Sequence, residues 1–450
     1  MKCLLDRLLA RKAGDVLWVA DPVGPIDINR LTQALSSVDP SDLQGKRFAV
    51  GALSAVEFIC TLVFLDGLAQ SILLLPTEDD QATRETRIAQ AKVDIVVESA
   101  GFGFTKQLVK FDATEPNSIA QQTVARGPAT IQTTWLLPTS GTTGTPKLIA
   151  HTFATLTRSM TTRSIGDDYT WGCLYSLRRF AGLQVFLQSW MCGTPLILNE
   201  ESADLNDLLN CFINLKCNAI SATPSMWRKL AMHPLFDRLA LRQITLGGEI
   251  VDQSVLDMLA SRFPGARITH IYASTEAGVG FAVRDGRAGF PAEYLLQPPL
   301  GVAMRIDEQS HLWFRATVGQ SSATGAEDEW IDSGDVVAIQ ADRVRFLGRA
   351  NGSINVGGNK VMPEEIESVI KELPEVAFVQ VRARKSAMLG SLVEAAITPM
   401  PGTVMDVAFK RQVIAHCRAR LDGFKVPAFI VAADGIQLTA SGKLSRMTME

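Results

Sequence analysis

Residues 135–147, WLLPTSGTTGTPK, join a short apolar stretch to a loop that is rich in threonine and glycine. The stretch Trp135–Leu137 predicts a buried strand. The loop Thr139–Lys147 combines hydroxyl donors, glycines that let backbone N–H groups approach an anion, and one lysine. This combination predicts a loop that holds phosphate groups.

The loop differs from the phosphate loop of P-loop NTPases. Lys147 is followed by Leu148, where that motif needs serine or threonine. Loops of this composition also occur as polar surface turns between a strand and a helix, so the loop alone leaves both interpretations open.

Short apolar segments alternate with helical segments around this loop. The predicted strands are Arg47–Leu53, Ser71–Leu75, Asp94–Val97, Trp135–Leu137, Pro195–Leu198, Ala219–Ser221, Gln243–Leu246 and Ile268–Tyr272, and helices are predicted at Ser54–Leu68, Leu205–Leu215 and Ser254–Arg262. Continuous apolar strands that alternate with helices predict parallel sheets covered by helices on both faces. Ligands of such sheets bind in the loops that follow the strands.

The pattern changes near residue 300. His311–Arg315 and Arg343–Leu347 have the character of half-buried antiparallel strands, and the segment after Arg349 has its own alternation of strands and helices. We therefore predict an α/β fold. A large N-terminal domain (residues 1–349) would contain helix-covered sheets and a β-subdomain, and a small α+β C-terminal domain (residues 350–450) would follow.

Composition excludes several classes of function. The formal charge of −3 gives no general attraction to nucleic acid. The seven cysteines include no CxxC pair, which favours reduced thiols over a zinc site or a disulfide framework. Five histidines and no GxSxG motif give little support to a serine hydrolase.

The N-terminal residues predict an amphipathic helix and not a signal peptide. In MKCLLDRLLARKAGD, leucines recur at helical spacing and charged residues interrupt them. The most apolar stretch, Phe48–Pro76, contains Glu57 and Asp66, and no run within it reaches the ~20 residues of a membrane span. We predict a cytoplasmic protein without a membrane span.

Five segments resemble, in order, the motifs of the acyl-adenylate-forming superfamily, which comprises acyl-CoA and aryl-CoA synthetases, peptide-synthetase adenylation domains and luciferases. They are Thr139–Lys147, Ile268–Glu276 (ITHIYASTE), Trp330–Asp335 (WIDSGD), Phe346–Glu367 (FLGRANGSINVGGNKVMPEEIE) and Thr439–Arg446 (TASGKLSR). Any one of them would be a weak signal, but five in order are a strong one.

The resemblance implies that a carboxylic acid reacts with ATP to give an acyl-adenylate and pyrophosphate, after which the acyl group passes to CoA. It implies ATP, Mg²⁺ and CoA as cofactors, and a C-terminal domain that rotates between the two half-reactions. A carrier-protein phosphopantetheine or an amine as acceptor remains open. A non-catalytic adenylate-binding relative and a P-loop ATPase are alternatives of other classes.

Three residues receive catalytic roles from the resemblance. Lys443 would bridge the carboxylate and the α-phosphate, and Thr275 would contact the α-phosphate. Glu276 would bind Mg²⁺, since a hard cation prefers carboxylate oxygen.

The resemblance also implies which residues contact the nucleotide and the acceptor. Thr139, Ser140, Gly141, Thr142, Thr143, Gly144 and Lys147 would hold the pyrophosphate side. Tyr272 would stack on adenine, and Asp335 with Arg349 would hold the ribose. Gly247, Gly248 and Glu249 would line the adenine and acyl pocket, and Gly357 with Gly358 would line the channel for the phosphopantetheine arm.

Asn351 occupies the hinge position, where the family more often has aspartate or lysine. Asparagine tolerates unusual backbone angles, so this departure need not stop a rotation. Two further departures are Ala273 and Leu148, each at a position where the family usually has glycine.

The pocket for the acid is assigned to Arg179, Phe180, Gly182, Ala277 and Gly278. Arg178 and Arg179 could pair with a second anionic group on the acid, or they could be surface arginines. Small residues after Glu276 favour an aromatic or medium-sized acid.

Overall fold

The computed structural model describes residues 3–9, 16–20, 24–36, 40–98, 131–139, 147–160, 169–198, 204–275, 278–316, 330–386, 390–433, 439 and 442–444. These residues form the predicted α/β fold, with helix-covered sheets, an antiparallel sheet and a smaller C-terminal part. No helix in these ranges is long and apolar enough to cross a membrane.

The first sheet contains the strand that precedes the predicted phosphate loop, Thr139–Lys147 (hereafter the phosphate loop). The elements in this part are α1 (Leu4–Leu9), β1 (Val16–Ala20), β2 (Gly24–Asp27), α2 (Ile28–Ser36), β3 (Arg47–Val50), α3 (Ala55–Leu65), β4 (Ser71–Leu74), α4 (Gln81–Gln90), β5 (Ile95–Val97), β6 (Thr134–Thr139), β7 (Lys147–His151) and α5 (Phe153–Thr157). The strand order is β5-β3-β4-β6-β7. All neighbours are parallel except β6 and β7, which are antiparallel, so the phosphate loop connects two strands and not a strand to a helix.

The second sheet has eight strands, and its parallel centre brings three strand ends to one edge. Its further elements are β8 (Trp171–Cys173), α6 (Phe180–Cys192), β9 (Leu196–Leu198), α7 (Leu205–Asn214), β10 (Ala219–Ala222), α8 (Pro224–Ala231), β11 (Gln243–Gly247), α9 (Gln253–Arg262), β12 (Arg267–Ser274) and β13 (Gly278–Val283). The order is β13-β12-β11-β10-β8-β9-β1-β2, with antiparallel pairs at both edges. The strands β10, β11 and β12 are parallel, so their carboxyl ends lie side by side. The residues that follow these ends are Thr223, Gly248 and Thr275.

The third sheet is antiparallel, as the sequence predicted. It consists of β14 (Phe290–Pro291), β15 (Val302–Ile306), β16 (His311–Ala316), β17 (Ile331–Gln340) and β18 (Arg343–Arg349), in the order β14-β18-β17-β16-β15. Its inner face packs against the edge strand β13 through Phe281, Phe290 and Phe314. This contact joins the antiparallel sheet to the end of β12.

The C-terminal part has its own apolar core. It contains β19 (Ile354–Val356), β20 (Asn359–Val361), α10 (Pro363–Ile370), β21 (Val376–Ser386), β22 (Gly390–Pro399), α11 (Val407–Arg418) and β23 (Phe429–Ala432). Ile366, Val381, Ile397 and Val413 are among the buried residues of this cluster. A separate core is what an independently packed unit requires.

Local sequence signals account for several of these elements. Ser54 and Glu57 form a capping box at the start of α3. The predicted amphipathic first helix is confirmed, because Leu4, Leu5 and Leu8 are buried in the main core. The cysteines are free thiols, and most of them are buried.

Gly182 lets α6 approach the loop that follows β8. A Cβ at residue 182 would lie 2.1 Å from the carbonyl oxygen of Ser176, a backbone atom that cannot move aside cheaply. The close approach sets the position of Arg179, the residue before the helix. The glycine is therefore explained by backbone packing.

We predict that Gly182→Ala lowers the free energy of unfolding by about 1–3 kcal/mol, because the added methyl group overpacks this contact. Gly265→Ala is the matched control, since a Cβ there meets nothing within 4 Å, and it should change stability by less than about 0.5 kcal/mol. Chemical denaturation followed by tryptophan fluorescence measures both variants. Equal stability of the two variants would contradict the packing role of Gly182.

Candidate active site

A buried carboxylate, Asp335, connects the antiparallel sheet to the parallel sheet. Asp335 in β17 lies opposite Arg349 at the end of β18, and its Oδ1 is 3.1 Å from the Arg349 Nε. Its Oδ2 accepts a 2.5 Å hydrogen bond from the hydroxyl of Tyr272 in β12. The structure thus brings together three residues that the sequence assigned to nucleotide binding.

The charge of Asp335 depends on these partners. Burial raises the pKa of Asp335 above its usual range, whereas Arg349, the Tyr272 hydroxyl and Lys443 act to lower it. Only 5% of the residue is exposed. Any further hydrogen-bond donor at this carboxylate would favour its ionised form.

The ring of Tyr272 belongs to a set of nearly parallel aromatic rings. Its centroid lies 5.3 Å from Phe281, 5.0 Å from Phe314 and 5.2 Å from Phe346, with interplanar angles of 17°, 17° and 4°. Burial and the charge of Asp335 raise the pKa of Tyr272 well above its usual value, so the hydroxyl stays protonated and can donate. Stacking of this ring on adenine stays a prediction.

Lys443, from the C-terminal lysine loop (residues 442–444), lies in the same cleft. Its Cε packs against Gly248: a Cβ built on that glycine would be in van der Waals contact with it, at 3.5 Å. As a whole residue Lys443 is exposed. Protein atoms nevertheless surround its ammonium group, and this partial loss of water lowers the pKa of Lys443. Glu249 and Asp335 act to raise this pKa, whereas Arg349 acts to lower it.

Glu249 follows β11 and contacts backbone amides of two separate segments. Its Oε2 accepts a 2.9 Å hydrogen bond from the Ser225 N–H, and its Oε1 accepts a 2.6 Å bond from the Leu444 N–H. The carboxylate therefore links the start of α8 to the lysine loop, a contact that the sequence did not reveal. The lining of the adenine and acyl pocket by Gly247 and Gly248 stays a prediction.

The phosphate loop lies outside the described residues except at its two ends. Thr139 and Lys147 face each other across the last pair of the β6–β7 ladder. This pairing fixes the separation between the ends of the loop. Roles in phosphate binding stay predictions for Ser140, Gly141, Thr142, Thr143 and Gly144.

His151, which the sequence analysis missed, connects β7 to the end of β12. Its Nε2 lies 2.7 Å from the carbonyl oxygen of Thr275. Because a carbonyl only accepts hydrogen bonds, Nε2 carries the proton and Nδ1 faces the Thr155 hydroxyl at 3.3 Å. This bond holds the backbone just before Glu276, which with Ala277 lies outside the described residues.

Arg179, at the predicted acid pocket, forms an ion pair. Its Nε and Nη2 lie 3.0 and 2.5 Å from the Oε1 of Glu78. The next residue, Phe180, has its ring centroid 5.9 Å from that of His151. Gly278, also assigned to the pocket, begins β13 with a positive φ of 70°.

Arg178 has a different environment from its neighbour. It is 3% exposed, and it donates hydrogen bonds to the carbonyl oxygens of Gly51 and Leu53. Its guanidinium also lies 4.7 Å above the ring of Phe58. These contacts hold the loop after β3, so Arg178 is not a surface arginine. Its pairing with a second anion on the acid stays a prediction.

The predicted hinge and acceptor residues lie in turns that begin the C-terminal part. Asn351 is exposed in the 3₁₀ turn Ala350–Gly352. Gly357 and Gly358 form the turn between β19 and β20, with φ of +57° and +92°, a region that favours glycine. Their roles in rotation and in acceptor binding stay predictions.

Comparison with known proteins assigns this architecture to a family. The AMP-binding enzyme family matches residues 57–310, and its C-terminal domain matches residues 365–443. The 2-succinylbenzoate–CoA ligase of Listeria innocua is 25% identical over 386 residues, which are 81% of this chain and 77% of that protein. The feruloyl-CoA synthase of an Amycolatopsis species is 27% identical over 342 residues, 69% of this chain and 67% of that protein.

A solved structure shares the fold. An anthranilate CoA ligase in complex with anthranoyl-AMP superimposes with a TM-score of 0.78 at 17% identity, and the match covers 98% of this chain and 94% of that one. The predicted resemblance to the acyl-adenylate-forming superfamily and the predicted AMP-forming ligase of the acyl-CoA synthetase type are confirmed. The chain belongs to the AMP-binding enzyme family.

Proposed function

We propose that this AMP-forming ligase activates a carboxylic acid that contains an aromatic ring and then transfers the acyl group to CoA. The observation that supports this proposal most strongly is that Lys443 lies close enough to Asp335 and Arg349 for their charges to shift its pKa, while Asp335 and Arg349 form an ion pair with each other. The lysine comes from the C-terminal part, and the other two residues come from the antiparallel sheet.

Lys443 has the properties that the first half-reaction needs. A carboxylate oxygen of the acid attacks the α-phosphorus of ATP, the bond from this phosphorus to the bridging oxygen breaks, and pyrophosphate leaves. Two anions must meet, so positive charge near both groups stabilises the transition state. In the protein without substrates, desolvation lowers the pKa of Lys443. The arrival of two anions would favour its charged form.

Asp335 and Arg349 would hold the ribose. The Tyr272 hydroxyl binds one oxygen of the Asp335 carboxylate and Arg349 binds the other, so the carboxylate plane has a fixed orientation. A carboxylate held in this way can accept from both hydroxyls of a ribose. We assign adenine stacking to the Tyr272 ring and contact with the α-phosphate to Thr275.

Mg²⁺ would be held by Glu276 together with phosphate oxygens of ATP. Magnesium is usually bound by one or two carboxylates and by substrate phosphates, and this donor set suits it. When bound, the ion offsets negative charge on the phosphates. The phosphate loop, with its ends Thr139 and Lys147 paired across a strand ladder, would enclose the pyrophosphate side.

The aromatic character of the acid is inferred from two features. The His151 ring lies beside the carbonyl of Thr275, and the centroid of the Phe180 ring lies 5.9 Å from that of His151, near the proposed acyl pocket. The relatives are named for 2-succinylbenzoate and ferulate, which both contain an aromatic ring. Arg179 is paired with Glu78, so a second anion on the acid would have to compete with that carboxylate.

We further propose that residues 1–349 bind the acid and ATP, and that residues 350–450 form a mobile lid domain that turns about Asn351. The separate apolar core of the C-terminal part supports this division. Gly357 and Gly358 would then contact the phosphopantetheine arm of CoA. A cytoplasmic location also stays a prediction.

The proposed reaction is tested by a screen of aryl, fatty and amino acids with ATP and Mg²⁺. We expect AMP and pyrophosphate as products, with the highest rate for an aryl acid, and thioester formation when free CoA is added. Pyrophosphate release is measured by a coupled assay, and nucleotides and thioester by chromatography. ADP as the product, or no pyrophosphate with any acid, would contradict the ligase.

If the acyl group passes to a phosphopantetheinylated carrier protein and not to CoA, the acceptor is the carrier protein and the proposal of CoA is wrong. The first half-reaction would be unaffected by that result. Transfer to an amine would be detected as an amide in the same chromatography.

The Tyr272→Phe variant tests the assignment of Asp335 to ribose. The ring stays and only the hydroxyl that orients the carboxylate is lost, so the KM for ATP should rise by about tenfold. Tyr294→Phe is the matched control, because Tyr294 packs against Phe281 and Phe290 in the same aromatic set. A KM for ATP that is the same in both variants would contradict the role of the Tyr272 hydroxyl.

A further inference from the structure

The start of α8 is in contact with the lysine loop. Thr223 is the residue before the helix, and Pro224, the first helical residue, has no N–H group. The Trp227 N–H already donates to the Thr223 carbonyl within the helix. Ser225 and Met226 are therefore the two amides of the first turn that need an acceptor from outside the helix.

Two side chains cap these amides. Glu249 Oε2 accepts from the Ser225 N–H at 2.9 Å, and the Thr223 Oγ1 accepts from the Met226 N–H at 3.0 Å. A carboxylate is also favoured at a helix N-terminus by the helix dipole. Capping alone would explain both residues if they had no other contact.

Both capping side chains make a second hydrogen bond, and both second bonds go to the lysine loop. The Thr223 hydroxyl donates to the carbonyl oxygen of Gly442, 219 residues away in sequence. The other oxygen of Glu249, Oε1, accepts from the Leu444 N–H at 2.6 Å, 195 residues away. The backbone is thus bound on both sides of Lys443.

We infer that Thr223 and Glu249 are positioning residues that dock the lysine loop on the first turn of α8, so that Lys443 points into the nucleotide cleft during adenylate formation. The inference rests on the proposed role of Lys443 in the first half-reaction. It assigns to Glu249 a task that differs from lining the adenine and acyl pocket.

The chemistry of the two contacts explains the residue types. Glu249 faces two N–H donors, so both of its oxygens must accept, and a carboxylate can do this whereas an amide has only one acceptor oxygen. Thr223 accepts one hydrogen bond and donates another, which a hydroxyl group can do and a methyl group cannot. Glu249→Gln therefore removes at least one of the two Glu249 contacts, and Thr223→Val removes both Thr223 contacts, with little change of volume.

Two glycines with positive φ lie at this contact. Gly248 has φ of +82°, and a Cβ there would lie 3.5 Å from the Lys443 Cε and 3.6 Å from the Thr223 Cγ2. Gly442 has φ of +72°, a conformation that side chains rarely adopt. The stem of Lys443 consequently crosses the backbone at Gly248 on its way into the cleft.

The docking contacts are reversible by their nature. They consist of hydrogen bonds between two side chains and the loop backbone, so a rotation of the C-terminal part can break them without disturbing an apolar core. Thioester formation from preformed acyl-AMP does not need Lys443 in this position. Loss of the contacts should therefore slow only the first half-reaction.

The test compares Glu249→Gln, Thr223→Val and Thr223→Ser in single-turnover measurements of both half-reactions. Glu249→Gln and Thr223→Val should slow adenylate formation by about tenfold to a hundredfold, as expected for the loss of a charge-assisted or buried hydrogen bond. Thioester formation from supplied acyl-AMP should stay within about threefold of wild type. Thr223→Ser keeps the hydroxyl and should keep adenylate formation.

The matched control is Glu57→Gln, which also removes a capping carboxylate. Glu57 accepts from the Ser54 N–H and hydroxyl at the start of α3 and has no contact with the lysine loop. It should leave the ratio of the two half-reactions unchanged. Equal losses of both half-reactions in Glu249→Gln would reduce its role to helix capping, and unchanged adenylate formation would overturn the proposal.

A second readout separates this inference from the proposed function. Hydrogen–deuterium exchange at the Leu444 amide should be faster in Glu249→Ala, which has no side-chain acceptor, than in wild type, whatever reaction the protein catalyses. Unchanged exchange would overturn the docking contact. Failure of wild type to release pyrophosphate, with faster exchange in the variant, would instead overturn the proposed function and leave the docking contact in place.

Discussion

The buried carboxylate of Asp335 is the interaction on which the geometry of the site depends. An ionised carboxylate in a low-dielectric environment is costly unless partners compensate for the lost water. Arg349 and the Tyr272 hydroxyl, from two different sheets, offset part of this cost. The same contacts join the antiparallel sheet to the end of β12.

The second constraint is that Lys443, the proposed catalytic lysine, comes from a separately packed part of the chain. Two polar contacts link this part to the second sheet: the docking of the lysine loop on α8, and Lys371, whose Nζ lies 3.9 Å from the Oδ2 of Asp252. Individual contacts of this kind contribute about 1 kcal/mol each. Contacts of this strength are compatible with the proposed rotation of the C-terminal part.

The sequence predicted the elements whose signals are local. Continuous apolar strands, such as Gln243–Gly247, and the separate alternation after Arg349 indicated the sheets and the C-terminal part. Contacts between residues far apart in sequence were not readable. Adjacent Arg178 and Arg179 look alike in sequence, yet one holds backbone carbonyls and the other pairs with Glu78.

The roles of Glu249 and His151 escaped prediction for the same reason. Each acts through a backbone group that is more than a hundred residues away, at Leu444 and at the Thr275 carbonyl respectively. Strand β7 was also missed, because a short apolar segment after a loop does not by itself distinguish a strand from a helix.

The most direct test of the central claim, that residues of both parts form one adenylation site, is a crystal structure of the protein with ATP and Mg²⁺. The account predicts both ribose hydroxyls on the Asp335 carboxylate, Glu276 on the metal ion, and Lys443 within hydrogen-bond distance of the α-phosphate. A nucleotide bound without contact to Asp335, or with its α-phosphate out of reach of Lys443 while the lysine loop stays docked on α8, would contradict it.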